Sequence, residues 1–91
     1  MIRHLDIPLI KFALETLTNC SPDARLLTLK NLCQNNGIWT VPDDPDRYNP
    51  VLYEIEAVGV PATADQPEDL PRCWMKAASN ILKAVALDQA A

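Results

Sequence analysis

An α+β fold is predicted by two observations. Apolar residues recur at helical spacing in two stretches near the N-terminus and in a longer one towards the C-terminus. Between them lie short β-branched and aromatic runs, divided by a proline-rich polar segment. The predicted architecture is three helices, over about 7–19, 22–35 and 70–87, with a short antiparallel β-ribbon over about 38–41 and 51–58.

The first helix opens at Asp6-Ile7-Pro8. The Asp carboxylate can accept orphan N–H groups of the first turn, and proline there sacrifices no hydrogen bond. Ile7, Leu9, Ile10, Ala13, Leu14 and Leu17 then share one face, with Lys11, Glu15, Thr18 and Asn19 opposite and Phe12 at the flank. Ser21-Pro22-Asp23 opens the second helix, with Ser21 expected as its cap and an acid beside the positive end of the dipole. Its stripe is Leu26, Leu29, Leu32 and Cys33, and Asn36-Gly37 is expected to end it in a left-handed turn. Leu27 falls among Lys30, Asn31 and Gln34 on the polar side, where it is either exposed or set against a second surface.

Ile38-Trp39-Thr40-Val41 suits a pleated surface, and Pro42-Asp43-Asp44-Pro45-Asp46 makes a stiff polar loop. From Val51 onward, Val51, Tyr53, Ile55 and Ala57 alternate with Leu52, Glu54, Glu56 and Val58. Asn49-Pro50 could cap a helix here, since Leu52, Ile55 and Val58 keep a three-residue spacing. The β-branched Val51, Val58 and Val60 favour a strand, with Gly59 and Pro61 ending the run. A two-stranded ribbon is not stable alone, so it must lie on the helices. Asp69-Leu70-Pro71 repeats the first start signal, and Leu70, Trp74, Ala78, Ile81, Leu82 and Val85 line the third helix opposite Arg72, Lys76, Ser79, Asn80 and Lys83.

Ninety-one residues with 48% apolar content make one domain, residues 1–91, whose core leaves little room for an enclosed active site. Cys20, Cys33 and Cys73 are odd in number and form no C-x-x-C pair, as expected of reduced thiols in a cytoplasmic protein. No signal-peptide core precedes Asp6, and no run approaches the ~18 apolar residues of a membrane span.

Catalytic chemistry finds little support. His4 is the sole histidine, so any Ser/His/acid or Cys/His arrangement would depend on it. The carboxylates of the middle segment sit in a proline-stiffened loop and read as solvated rather than as an acid–base pair. A calcium loop starting at Asp44 would place Asn49 where glycine is needed and Ile55 where glutamate is needed. Starting at Asp43 puts Glu54 in the last position, but Pro45 and Arg47 then fall at liganding positions. The cysteines have no zinc spacing, and glycines only at 37 and 59 exclude a phosphate-binding loop. The chain is expected to be no enzyme and to need no cofactor or metal.

Charge is distributed unevenly. Residues 41–69 hold eight carboxylates against Arg47, a net of −7, while residues 1–40 carry +1 and residues 70–91 carry +2. With a pI near 4.7, broad nucleic-acid binding is disfavoured. Aromatic residues anchor many interfaces. The candidate partner-binding surface is therefore Trp39, Asp43, Asp44, Asp46, Tyr48, Glu54 and Glu56; Trp74, among apolar helical neighbours, reads as core. The alternative is a helix-turn-helix made by the first two helices. Arg25, Lys30, Asn31 and Gln34 would face DNA, with the Arg72, Lys76 and Lys83 stripe assisting.

Residues Tyr53-Glu-Ile-Glu-Ala-Val-Gly-Val60, followed by Arg72-Cys-Trp-Met-Lys-Ala-Ala78, resemble small bacteriophage or prophage accessory proteins that combine a strand, a turn and a Trp-containing helix. The resemblance covers 53–80 and implies a small partner-binding protein. The reading is a non-enzymatic protein-binding module with an acidic surface for a basic protein partner. Its sharp form is an inhibitor mimicking nucleic acid, as anti-restriction and anti-CRISPR proteins do. Homodimer formation is compatible with it, and a small DNA-binding regulator is the alternative.

Overall fold

The computed structural model describes residues 6–41 and 52–90, with side chains as far as residue 87. A three-stranded antiparallel sheet is covered on one face by the second and third helices, against which the first helix packs, and this makes the domain α+β. The helix α1 spans Ile7–Asn19 and buries Ile10, Ala13 and Leu17. Its start is as the sequence predicts: Asp6 Oδ1 accepts the Leu9 N–H at 3.1 Å. Asp6→Ala is expected to lower stability by about 1 kcal/mol in urea denaturation, while Asp6→Asn keeps the acceptor and the stability. At its far end, Arg25 donates from Nε to the Leu17 carbonyl at 2.9 Å and from Nη2 to that of Thr18 at 3.4 Å. A cation there satisfies carbonyls left over by the helix and meets the negative end of its dipole.

A 3₁₀ turn over Pro22–Ala24 leads into α2, Arg25–Asn36. The Ser21 hydroxyl makes no capping bond, contrary to expectation; the Ser21 main-chain carbonyl instead takes the Ala24 N–H at 3.0 Å, because the first turn is 3₁₀. Leu29 and Cys33 are buried, Leu26 and Leu32 half-buried, and Leu27 is exposed. The end of α2 also differs from expectation. Gly37 is extended, at φ 174 and ψ −149, so α2 passes straight into β1 (Gly37–Trp39) without a left-handed turn. Glycine is required there for another reason: a Cβ would lie 1.8 Å from the Glu56 carbonyl oxygen on the next strand.

The strand β2, Tyr53–Ala57, pairs antiparallel with β1 in the register Gly37↔Ala57, Ile38↔Glu56, Trp39↔Ile55, so the predicted ribbon forms. That strand stops before Gly59, as expected, but Pro61 does not end the sheet. Val58 and Gly59, at φ 54 and φ 78, make a two-residue hairpin turn of the I′ kind, and a third strand β3 follows over Val60–Ala64. A β-branched residue with positive φ is uncommon. Val58 is held in it by burial of its side chain, 6% exposed, and by its N–H, which donates to the Asn36 carbonyl at 2.8 Å. Pro61 is tolerated within β3 because this is an edge strand. Opposite Glu56 and next to the hairpin's closing pair, Ala57↔Val60, its nitrogen faces away from β2, so no ladder bond is lost.

A second 3₁₀ turn, Pro67–Asp69, leads into α3, Leu70–Ala90. Leu70, Trp74 and Ala78 of α3 are fully buried against Val60, Ala62 and Ala64 of β3 and the inner residues Tyr53, Ile55 and Ala57 of β2. The Trp74 indole N–H donates to the Ala57 carbonyl at 3.1 Å, which satisfies its one polar atom inside the core. Ile81 and Leu82 still touch the core, whereas Leu87 is 74% exposed.

Candidate interaction surface

Strand alternation splits the sheet into two unlike faces. Inward lie Tyr53, Ile55, Ala57, Val60, Ala62 and Ala64, all buried beneath the helices. Outward lie two rows, Ile38–Glu56–Pro61 and Glu54–Thr63, with Thr40 continuing the second. The Thr40 hydroxyl donates to the Glu54 carbonyl and fixes that continuation. These side chains border an open hollow of about 300 Å³. Ile38 is 55% exposed, and Leu52, one residue before β2, is 51% exposed. Two large apolar side chains thus stand beside two carboxylates on a sheet face that no other described element covers. Apolar contact supplies area and charge supplies choice of partner, so the face has both ingredients of an interface.

The sequence-derived residues divide across the molecule. Glu54 and Glu56 share this open face. Trp39 does not: its pairing with Ile55 turns it inward, where it is half-buried against the core. Asp43, Asp44, Asp46 and Tyr48 fall outside the described residues. Of the alternative nucleic-acid set, Arg25 is bound to the end of α1 and Lys30 is half-buried. Asn31, Gln34, Arg72, Lys76 and Lys83 are exposed on α2 and α3. Ile38, Leu52, Thr40, Pro61 and Thr63 were not singled out by sequence. The signal was present for Ile38 and Leu52: strand parity puts both with Glu54 and Glu56 once the register is known.

Among the described residues no group of three His, Cys, Asp or Glu side chains could hold a metal ion, and no helix is long and apolar enough to cross a membrane. All three cysteines are free thiols. Burial pushes the Cys33 thiol up to about 11, while Cys20 and Cys73 are half-exposed. A thiol-specific reagent at mildly alkaline pH should therefore modify Cys20 and Cys73 readily and Cys33 only after unfolding. The folded chain holds the Cys33 proton more tightly than the unfolded chain, whose thiol titrates near 9.0. Its contribution to stability is thus complete below about 9 and falls away as pH rises towards about 11.

No protein-family model, curated protein or solved structure matches this chain. Any functional reading therefore rests on the surface itself.

Proposed function

We propose that the protein is a non-enzymatic binding module that docks a protein with a basic surface onto the open sheet face, with Ile38 and Leu52 as apolar contacts and Glu54 and Glu56 as charge partners. The observation that carries this reading is the hollow on the outer sheet face, which apolar Ile38 and Pro61 share with Glu54 and Glu56 and which no other described element covers. The net −7 of residues 41–69, the segment that includes both glutamates, extends the same sign of charge. Such a field raises the rate of encounter with a basic partner. In its sharpest form the module is an inhibitor that offers carboxylates where its target expects phosphates. The DNA-binding alternative is less well supported, because the chain is acidic overall, with a pI near 4.7, and Lys30 of the helix set is half-buried.

The test is capture of partners by the tagged protein at low and physiological salt, with mass-spectrometric identification and association kinetics for what is retained. Ile38→Asp is expected to abolish capture while lowering the melt modestly, since the new carboxylate faces Glu56, and Glu54→Gln to slow association with an unchanged melt because its side chain is exposed. Asp43, Asp44 and Asp46 changed together to Asn should also slow association. Reversing Arg72, Lys76 and Lys83 should matter little. Loss of capture on that reversal, with Ile38→Asp binding normally, would move the functional face to the helices.

A further inference from the structure

A second concavity lies away from the open sheet face, between the start of α2 and the start of α3. Its volume is about 510 Å³, within the roughly 300–1,000 Å³ of sites that take drug-sized ligands or short peptides. Leu26 and Met75 give it apolar walls, and Arg25, Arg72, Asp23 and Glu68 give it charge of both signs. Arg25 is the fixed element. It is half-buried and its orientation is set by the bonds to the Leu17 and Thr18 carbonyls. A guanidinium carries five N–H donors, so several remain without a partner among the described residues. Arg72 is 77% exposed and touches Asp69 only at 3.6 Å, so it is at liberty to turn towards a ligand.

We propose that this groove binds the C-terminal end of a peptide that finishes in an apolar residue and carries a basic residue shortly before it. The terminal carboxylate meets Arg25 and Arg72, since a planar guanidinium matches a carboxylate with two parallel hydrogen bonds. The last side chain rests on Leu26 and Met75. The upstream cation lies between the exposed carboxylates of Asp23 and Glu68. Two acids on the rim repel a polyanion such as a nucleic-acid backbone, and a singly charged carboxylate accompanied by a cation suits all four charged groups at once. Capture of a chain terminus by fixed donors is an established recognition mode.

Fluorescence polarisation with fluorescein-labelled Gly-Lys-Ala-Leu tests this, using the free acid against the same peptide as its C-terminal amide. The acid should bind saturably and the amide at least about tenfold more weakly, because a lost charge-assisted hydrogen bond has that magnitude. Arg72→Gln, at an exposed site, should weaken the acid several-fold with an unchanged melt. Glu68→Gln should remove the advantage of the Lys peptide over one with Ala in its place. Ile38→Asp, on the sheet face, should leave peptide binding intact, which separates this site from the proposed protein-docking surface. Equal binding of acid and amide, no saturable binding of either, or loss of binding in Ile38→Asp would each overturn the proposal.

Discussion

Trp74→Ala is expected to unfold the domain or to lower its stability by about 3–5 kcal/mol, the range for truncating a buried tryptophan. Trp74 is 0% exposed at the junction of α3 with both β2 and β3. Two effects combine. The vacated volume leaves Leu70, Ala78 and the inner sheet residues without packing partners, and the buried hydrogen bond from the indole N–H to the Ala57 carbonyl is lost. Trp74→Phe restores part of the volume but not the hydrogen bond, so its loss should be intermediate. Thermal and urea melts check both, and a Trp74→Ala midpoint within a few degrees of the parent would show that the core is not organised around this residue.

Gly37→Ala is expected to cost about 1–3 kcal/mol, an overpacking penalty, although it adds only one methyl group. The new carbon would sit 1.8 Å from the Glu56 oxygen and 2.8 Å from its carbonyl carbon. Both are main-chain atoms of the central strand and cannot swing aside as a flexible side chain would. Relief requires β1 to withdraw from β2, which loosens Ile38↔Glu56 and Trp39↔Ile55. A lowered urea midpoint together with changed tryptophan fluorescence from Trp39 would report this. Asn36→Ala, at the exposed neighbouring position, is the control and should be almost neutral.

The helices were legible because each one's packing follows its own pattern. In α3 the spacing of Leu70, Trp74 and Ala78 is local information, and the burial agrees with it. The Asp6 start is local too. What escaped the sequence depended on partners distant along the chain. Pro61 reads as a terminator until its strand is known to be an edge with the proline nitrogen turned outwards. Val58 argues against a left-handed turn until its burial and its bond to Asn36, at the end of α2, are seen. Gly37 was recognised as special, but a close approach to Glu56 from another strand cannot be read from its neighbours.

The candidate surface shows the same division. Glu54 and Glu56 were read from composition and sit together. Trp39 was chosen for its aromatic character, whereas cross-strand pairing with Ile55 sends it inward and brings its neighbour Ile38 outward. A one-residue difference in register exchanges the two faces of a strand, so the identity of the exposed apolar contact had to wait for the pairing.

Pro61 has a consequence for how these molecules behave when crowded. An unprotected sheet edge is a template on which another chain can add a strand, and repetition of that step is the route to fibres. As the second residue of that edge strand, Pro61 offers no donor to an incoming carbonyl. The outer sheet face, which no described residue covers, is thus kept from leading to polymerisation along β3, because a second chain can lie on that face but cannot extend the ladder at Pro61.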